Sequence, residues 1–313
     1  MLTLTFLGTS AARPTIERSV SALAVQRDGE TLLFDCGEGT QRQMMRYGVG
    51  FTLRDVFFTH LHSDHLLGIT GLARTFGLQG RADPLRLWGP RGAAGVLKQA
   101  LELGVERTPY PVEICEVAPG DRLARTGYDL EVIPADHGGG AVSYVLREHQ
   151  RLGRFDPEQA RALGVPEGPL WGRLHKGETI EWEERREDGS TVRRTADPAT
   201  LVGPARPGRT VALSGDTRPT ATLVEAAAGA DLLVHEATFT EDERDRAIET
   251  RHSTAREAAQ VALAAGVRRL VLTHLSARFS TAWQELLDEA RAVFQETMVA
   301  KDGMAIEVPF HDT

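Results

Sequence analysis

The 313-residue sequence holds only two cysteines, Cys36 and Cys115. Two isolated thiols exclude a disulfide scaffold and a thiolate zinc cluster, and they suit a reducing compartment, so a cytoplasmic setting is expected. No run of about 18 apolar residues occurs, so no segment is expected to span a membrane. The basic segment of a signal peptide is also missing: Met1-Leu2-Thr3-Leu4-Thr5-Phe6-Leu7-Gly8 alternates apolar and polar residues and reads as a first strand. Lysine is scarce, three against 33 arginines. That bias reads as compositional, although the arginine fork also fits phosphate. Finally, net positive charge is absent: 36 Lys+Arg against 44 Asp+Glu leave −8, which argues against a generally basic nucleic-acid binder but not against a local basic site. What is present, 41% hydrophobic and 26% charged residues, can bury a sizeable core and excludes a disordered or collagen-like chain.

Short apolar runs separated by turn residues predict strands at Leu2–Leu7, Leu23–Val25, Leu32–Phe34, Val56–Phe58, Leu85–Trp88, Leu130–Ile133 and Val142–Leu146. A second set follows at Thr210–Leu213, Leu232–Val234, Leu270–Leu272 and Met304–Val308. Apolar positions recurring at three and four predict helices over Leu66–Phe76, Gly92–Leu103, Ala255–Ala265 and Thr281–Thr297. Strand clusters with interspersed helices imply a layered α/β architecture. Residues 151–206 break the rhythm. They are rich in Gly and Pro, carry ten cations against ten anions, and are expected to contain no core element. The domain reading is therefore a body formed by 1–150 and 207–313, interrupted by an insertion at 151–206 that is either a solvated surface segment or a functional arm.

The strongest chemical signal is Thr59-His60-Leu61-His62-Ser63-Asp64-His65, which follows the run Val56-Phe57-Phe58. Four good metal ligands fall within six residues, His60 and His62 at a strand end and Asp64 and His65 at the turn into the next helix. Three further candidates, His137, Asp216 and His274, share one placement: each follows closely on a short apolar strand. If those strands lie side by side, all seven residues surround one cleft. Imidazole and carboxylate without thiolate suit two Zn²⁺ ions, with Mn²⁺ or another divalent ion as the alternative. Asp216 could bridge, with His60, His62 and His137 on one ion and Asp64, His65 and His274 on the other.

The His-x-His-x-Asp-His run with its downstream His, Asp and His resembles the metallo-β-lactamase superfamily. That resemblance implies a four-layer αββα sandwich with a dinuclear site at one edge. Further blocks resemble its tRNase Z branch: Phe6 to Thr15, Asp35-Cys36-Gly37-Glu38-Gly39-Thr40-Gln41, Ser214-Gly215-Asp216-Thr217-Arg218-Pro219, His235-Glu236-Ala237-Thr238-Phe239, His252-Ser253-Thr254 and Thr273-His274-Leu275-Ser276-Ala277-Arg278-Phe279. In the first block this chain has Ala12-Arg13-Pro14 where the family commonly has Gly-x-Pro, and Ser19 where Asn is common.

The branch resemblance implies a zinc-dependent endoribonuclease that removes the 3′ trailer of precursor tRNA, leaving a 3′-hydroxyl on the tRNA and a 5′-phosphate on the trailer. It implies that the 151–206 insertion is an exosite arm gripping the tRNA, with Arg173 and Lys176 as its contacts and Glu181 to Asp188 in a stem. It further implies phosphate contacts from Ser276 and Arg278, and a homodimer in which one subunit's arm serves the other's site. Two ions about 3.5 to 4 Å apart would activate a water and stabilise phosphoryl charge, with Asp64 as ligand and as orienter or acceptor of the water's proton. The departing ribose oxygen needs a proton. His252 is the candidate donor, because imidazole titrates nearest neutral pH, and Glu236 is the carboxylate to hold it. His235 is expected to lie beside the site without ligating. Two other readings compete: a metal-dependent hydrolase of small phosphodiesters, sulfate esters or lactones, for which the arm would be unnecessary, and a non-catalytic relative, against which the complete ligand set argues.

Overall fold

The computed structural model describes residues 1–105 and 107–311. The chain divides into two compact units, Met1–Arg147 with Arg209–Pro309, and Glu148–Gly208 with the terminal residues from Phe310. Among the described residues no helix is long and apolar enough to cross a membrane.

The larger unit contains two seven-stranded mixed sheets. The first is built from β1 (Leu2–Gly8), β2 (Ala22–Arg27), β3 (Glu30–Phe34), β4 (Asp55–Phe57), β5 (Leu85–Pro90) and β6 (Val112–Val117). The second begins with β7 (Arg122–Arg125), β8 (Tyr128–Pro134) and β9 (Val142–Glu148). After the smaller unit, which holds β10 (Ile180–Arg185) and β11 (Thr191–Ala196), the second sheet resumes with β12 (Thr210–Leu213), β13 (Leu232–Glu236), β14 (Leu270–Thr273) and β15 (Thr297–Val299), and β16 (Ala305–Glu307) returns to the first. The orders are β16-β1-β2-β3-β4-β5-β6 and β15-β14-β13-β12-β9-β8-β7. Strands β3 to β6 are parallel, as are β12 to β15, so consecutive C-terminal ends line one edge of each sheet.

Period-two alternation decides the layering. Leu32 and Phe34 face the second sheet, meeting Tyr144, Leu130, Leu213 and Val234 in a core between the sheets. Leu33, one residue out of phase, joins Val56, Phe58 and Leu87 on the outer face. That face is covered by α1 (Thr40–Arg46), α3 (Gly68–Leu78) and α4 (Ala93–Leu101), which contribute Met44, Ile69, Leu72, Phe76 and Leu97. Between β4 and α3 lies one turn of helix, α2 (Ser63–Leu66). On the other side Val145, Ala212, Leu233 and Leu272 are covered by α7 (Ala221–Ala226), α9 (Ala255–Ala265) and α10 (Gln284–Arg291), with Leu223, Ala258, Ala259, Ala262 and Leu286 fully buried. The four layers expected of the family are thus present. Each large apolar side chain so buried stabilises by about 1.5–3 kcal/mol.

Two predicted helices differ from those observed. The continuous helix over Leu66–Phe76 is interrupted at Leu67, because Gly68 N–H donates to Cys36 O (2.8 Å). A Cβ on Gly68 would lie 2.0 Å from Gly37 O, so only glycine allows this approach. The helix over Thr281–Thr297 stops at Arg291, and Thr297 instead opens β15 beside β14. Thr297 Oγ1 donates to Phe294 O, meeting a carbonyl that a longer helix would have used.

The smaller unit corrects the expectation that 151–206 has no core element. It holds α5 (Pro157–Ala162), α6 (Pro169–His175) and the β10–β11 hairpin around buried Ala160, Val165, Leu174, Ile180, Ala196 and Leu201. Its apolar residues come singly or on very short helices, so no window shows a period. Glu184 pairs with Arg194 (2.8 Å) and Glu181 with Arg193 across the hairpin, while Arg173 pairs with Glu178 (2.7 Å).

Candidate metal centre

The seven residues picked out as ligands converge at the sheet edge. His60, His62, Asp64 and His65 follow β4, His137 follows β8, Asp216 follows β12 and His274 follows β14. Two trios, His60/His62/His137 and Asp64/His65/His274, each offer donor atoms within 4.8 Å of one another. Asp216 Oδ2 lies between them, 3.6 Å from His60 Nε2, 3.3 Å from His65 Nε2, 3.8 Å from His137 Nε2 and 3.3 Å from His274 Nε2. Within the trios His62 Nδ1 and His137 Nε2 are 3.2 Å apart, as are His65 Nε2 and His274 Nε2, and His274 Nε2 lies 3.3 Å from Asp64 Oδ2. A tetrahedral ion with ligands at about 2.0–2.1 Å sets its donors about 3.3 Å apart, so this spacing is that of a coordination shell.

The outer ring nitrogens fix which atoms face inward. Thr59 Oγ1 donates to Asp35 and accepts from His60 Nδ1 (3.0 Å), which leaves His60 Nε2 as a bare lone pair, buried and without a hydrogen-bond partner. His65 Nδ1 donates to Asp35 Oδ2 (2.8 Å), His137 Nδ1 to Arg251 O (2.7 Å) and His274 Nδ1 to Thr238 Oγ1 (3.0 Å), whose own proton goes to Glu236 Oε2 (2.8 Å). Each of these imidazoles is tied from behind and aims an acceptor at the cluster, the pattern by which proteins orient metal ligands. An orphaned buried nitrogen, coordination spacing and an all nitrogen and oxygen donor set together fit divalent ions. Burial pushes His60 and His137 below the ordinary imidazole value, which favours the neutral, ligating form; burial acts the same way on His65, but Asp216 and Asp35 outweigh it and raise that ring well above the ordinary value.

Backbone geometry contributes too. Asp35 and His274 adopt left-handed φ of 56° and 55°, conformations that cost non-glycine residues energy and that concentrate at functional sites. Ala12 does the same at 59°, and its N–H donates to Asp64 Oδ2 (2.7 Å). At that φ a glycine would carry no Cβ strain.

His252 stands beside the cluster with Nδ1 on Glu236 Oε1 at 2.8 Å. Burial pushes its pKa down, but Glu236 outweighs this and carries it up to about 9. His252 lines a pocket of about 290 Å³ with Asp64, Asp216, His274, Ser276, Phe239, Arg13 and Arg246. Arg278 lies outside that lining and grips Glu243 with both terminal nitrogens (2.8 Å for Nη2). His235 is buried, donates Nδ1 to Glu236 O (2.7 Å) and belongs to none of the donor groups. Arg173 and Lys176 lie in the smaller unit, on α6 and at its C-terminal end. Sequence reasoning missed the supporting residues Asp35, Thr59 and Thr238. The signal for Asp35 was available, since it too follows directly on a strand.

Residues 179–275 match the beta-lactamase superfamily domain profile, and residues 2–149 match that of the anti-Pycsar protein Apyc1. Fold and site together define a metallo-β-lactamase-fold hydrolase. At full length the chain is 57% identical to the ribonuclease Z of Gemmatimonas aurantiaca, covering 98% of this chain and 96% of that one. It is 54% identical to the ribonuclease Z of Myxococcus xanthus, covering 100% and 99%. Human tRNase Z, short form, superposes with a TM-score of 0.70 at 26% identity, covering 98% of this chain and all of that one. The chain belongs to the ribonuclease Z family, the metal-dependent endonucleases of tRNA 3′-end processing.

Proposed function

We propose that the centre holds two Zn²⁺ ions, one on His60, His62 and His137 and the other on Asp64, His65 and His274, with Asp216 shared. On this reading the chain cuts precursor tRNA so that the tRNA keeps a 3′-hydroxyl and the trailer a 5′-phosphate. The observation that carries it is the convergence of both trios on Asp216 Oδ2 beside a His–Glu pair, in a chain of this family. Bound there, the ions would lower the pKa of a water toward neutrality and offset charge on the phosphoryl oxygens.

The protein's own groups do the rest. Glu236 holds the His252 imidazolium through Nδ1, which leaves Nε2–H to protonate the departing ribose oxygen in the pocket. Ala12 N–H holds Asp64 in place, so Asp64 serves as ligand and orienter. Ser276 and Arg278 receive the flanking phosphate, for which Arg278 must turn away from Glu243, a half-exposed pair worth at most about 1 kcal/mol. The smaller unit is the exosite that grips the tRNA body. Assembly as a homodimer belongs to this reading, with family membership as its support, and light scattering checks it.

The test is incubation with a trailer-bearing precursor tRNA, mapping the cut to the nucleotide, for wild type and His252→Ala. A single cut at the tRNA 3′ end, abolished by chelator, is expected. His252→Ala is expected to lower kcat on the order of 10²- to 10⁴-fold with metal content intact. Loss of metal in that variant would make His252 a ligand and overturn its assignment as donor.

A further inference from the structure

His252 lies in the short connection between α8 (Arg244–Thr250) and α9. Such a segment has little regular hydrogen bonding to hold it. Its own N–H reaches Ala247 O (2.8 Å), and the preceding Arg251 is left-handed at φ 57°. Proton donation nevertheless demands that the ring be fixed, since a misplacement of about 1 Å costs on the order of 10²-fold in rate.

The missing restraint comes from Arg218, two residues beyond Asp216. Its Nη1 donates to His252 O (2.5 Å) and to Glu257 Oε2 (2.7 Å), and its Nη2 completes a bidentate pair with Glu257 Oε1. Glu257 is fixed in turn: it is 4% exposed, sits in the first turn of α9 and accepts from Thr254 N (3.0 Å) in a capping box. The same loop ties the other parts of the site. Arg218 N donates to Asp136 O (3.0 Å), and Asp136 N to Thr217 Oγ1 (2.9 Å), next to His137. Thr217 N donates to Glu236 Oε1 (3.1 Å), and Ser253 Oγ to Thr217 O (2.6 Å).

We infer that Arg218, clamped by Glu257, is the positioning residue for the proton donor: it fixes the His252 backbone relative to the loop that carries Asp216. The inference rests on His252 being that donor. Arg218 belongs neither to the pocket lining nor to the donor groups, and it acts through the segment it holds. A lysine keeps the charge opposite Glu257 but has one nitrogen, which cannot span both carboxylate oxygens and the His252 carbonyl.

The experiment compares two substrates. Precursor tRNA has a ribose leaving group that needs a proton, whereas bis(p-nitrophenyl) phosphate releases an anion that is stable without one. For Arg218→Lys, kcat on precursor tRNA is expected to fall on the order of 10²-fold, with KM within twofold and metal content unchanged. Cleavage of the activated diester is expected to fall less than threefold. Placed on His252→Ala, the lysine change is expected to add nothing further, because residues acting as one unit are non-additive. The double variant Arg218→Met/Glu257→Gln removes both charges together and gives the same comparison should the single change unfold the α9 start. Equal loss on both substrates, or full additivity with His252→Ala, would overturn the positioning role. Equal loss on both substrates in His252→Ala itself would overturn the donor assignment, and the positioning role with it.

Discussion

Replacing Asp35 by Asn separates support of the metal centre from ligation. Asp35 Oδ1 accepts from Thr59 N–H (2.8 Å), Oδ2 accepts from His65 Nδ1 (2.8 Å), and Thr59 Oγ1 lies within reach of both oxygens (3.1 and 3.0 Å). An asparagine has one acceptor oxygen. If it keeps the Thr59 amide, its NH₂ faces His65 Nδ1–H, donor against donor, and the imidazole must shift its proton to Nε2, the atom aimed at the cluster. The lost bond to a charged acceptor is worth about 1.5–3 kcal/mol, and changes of this kind behind a ligand lower metal affinity about 10- to 100-fold, or about 1.4–2.8 kcal/mol. Competition with a chromophoric chelator should show that loss confined to one of two binding steps, the one served by Asp64, His65 and His274. The step served by His60, His62 and His137 should change little, because the Thr59 hydroxyl still accepts from His60. Wild-type affinity in both steps would refute the reasoning, as would equal weakening of both.

Glu236→Gln removes the charge that holds the His252 imidazolium. With His252 as the proton donor, activity requires the protonated ring, so the loss of kcat with rising pH should move down from the wild-type limb, which Glu236 raises, toward the ordinary 6.5. Bound ions shift both proteins alike, so the displacement between the two kcat–pH profiles is the readout; coincident basic limbs would contradict the role of Glu236. Gly68→Ala drives a methyl to 2.0 Å from Gly37 O, against backbone that cannot rotate away. It should cost about 1–3 kcal/mol, seen as a Tm lowered by several degrees, and weaken metal binding because Asp64 and His65 lie on the turn just before it.

The seven candidate ligands were legible in the sequence because they cluster just past the ends of apolar runs, and strands running the same way place such positions on one edge whatever their order. The supporting shell was not legible, because it depends on which strands are neighbours. Asp35 meets Thr59 only because β3 lies beside β4, and Thr238 meets His274 only because β13 lies beside β14. The break at Leu67 was invisible for a related reason. Apolar periodicity runs unbroken through it, and the interruption comes from a backbone contact with Cys36, about thirty residues upstream. In the smaller unit the apolar residues of β10 alternate with Glu, and two helices of six and seven residues are too short to display a period.

In its proposed role as exosite, that unit also bears on how an acidic chain would meet RNA. Residues 151–206 carry equal numbers of cations and anions, so net charge gives no account of tRNA binding. The pairing pattern gives a sharper one. Arg161, Arg173, Arg193 and Arg194 are each committed to a glutamate, whereas Lys176, Arg185 and Arg186 make no ion pair among the described residues. A paired arginine can turn to a phosphate only by bringing that phosphate near its partner carboxylate, and the repulsion cancels much of the gain. The three unpaired cations should therefore carry the contact: Lys176, which the sequence already pointed to together with Arg173, and Arg185 and Arg186, which it did not. Replacing Lys176, Arg185 and Arg186 by alanine should raise KM for precursor tRNA on the order of tenfold or more with kcat little changed, and reduce the log–log salt dependence of binding by about one per cation removed. Replacing Arg161, Arg193 and Arg194 should cost far less. Comparable losses from the two sets would mean that pairing does not decide which cations reach the RNA, and that backbone N–H groups or the shape of the unit bind it instead.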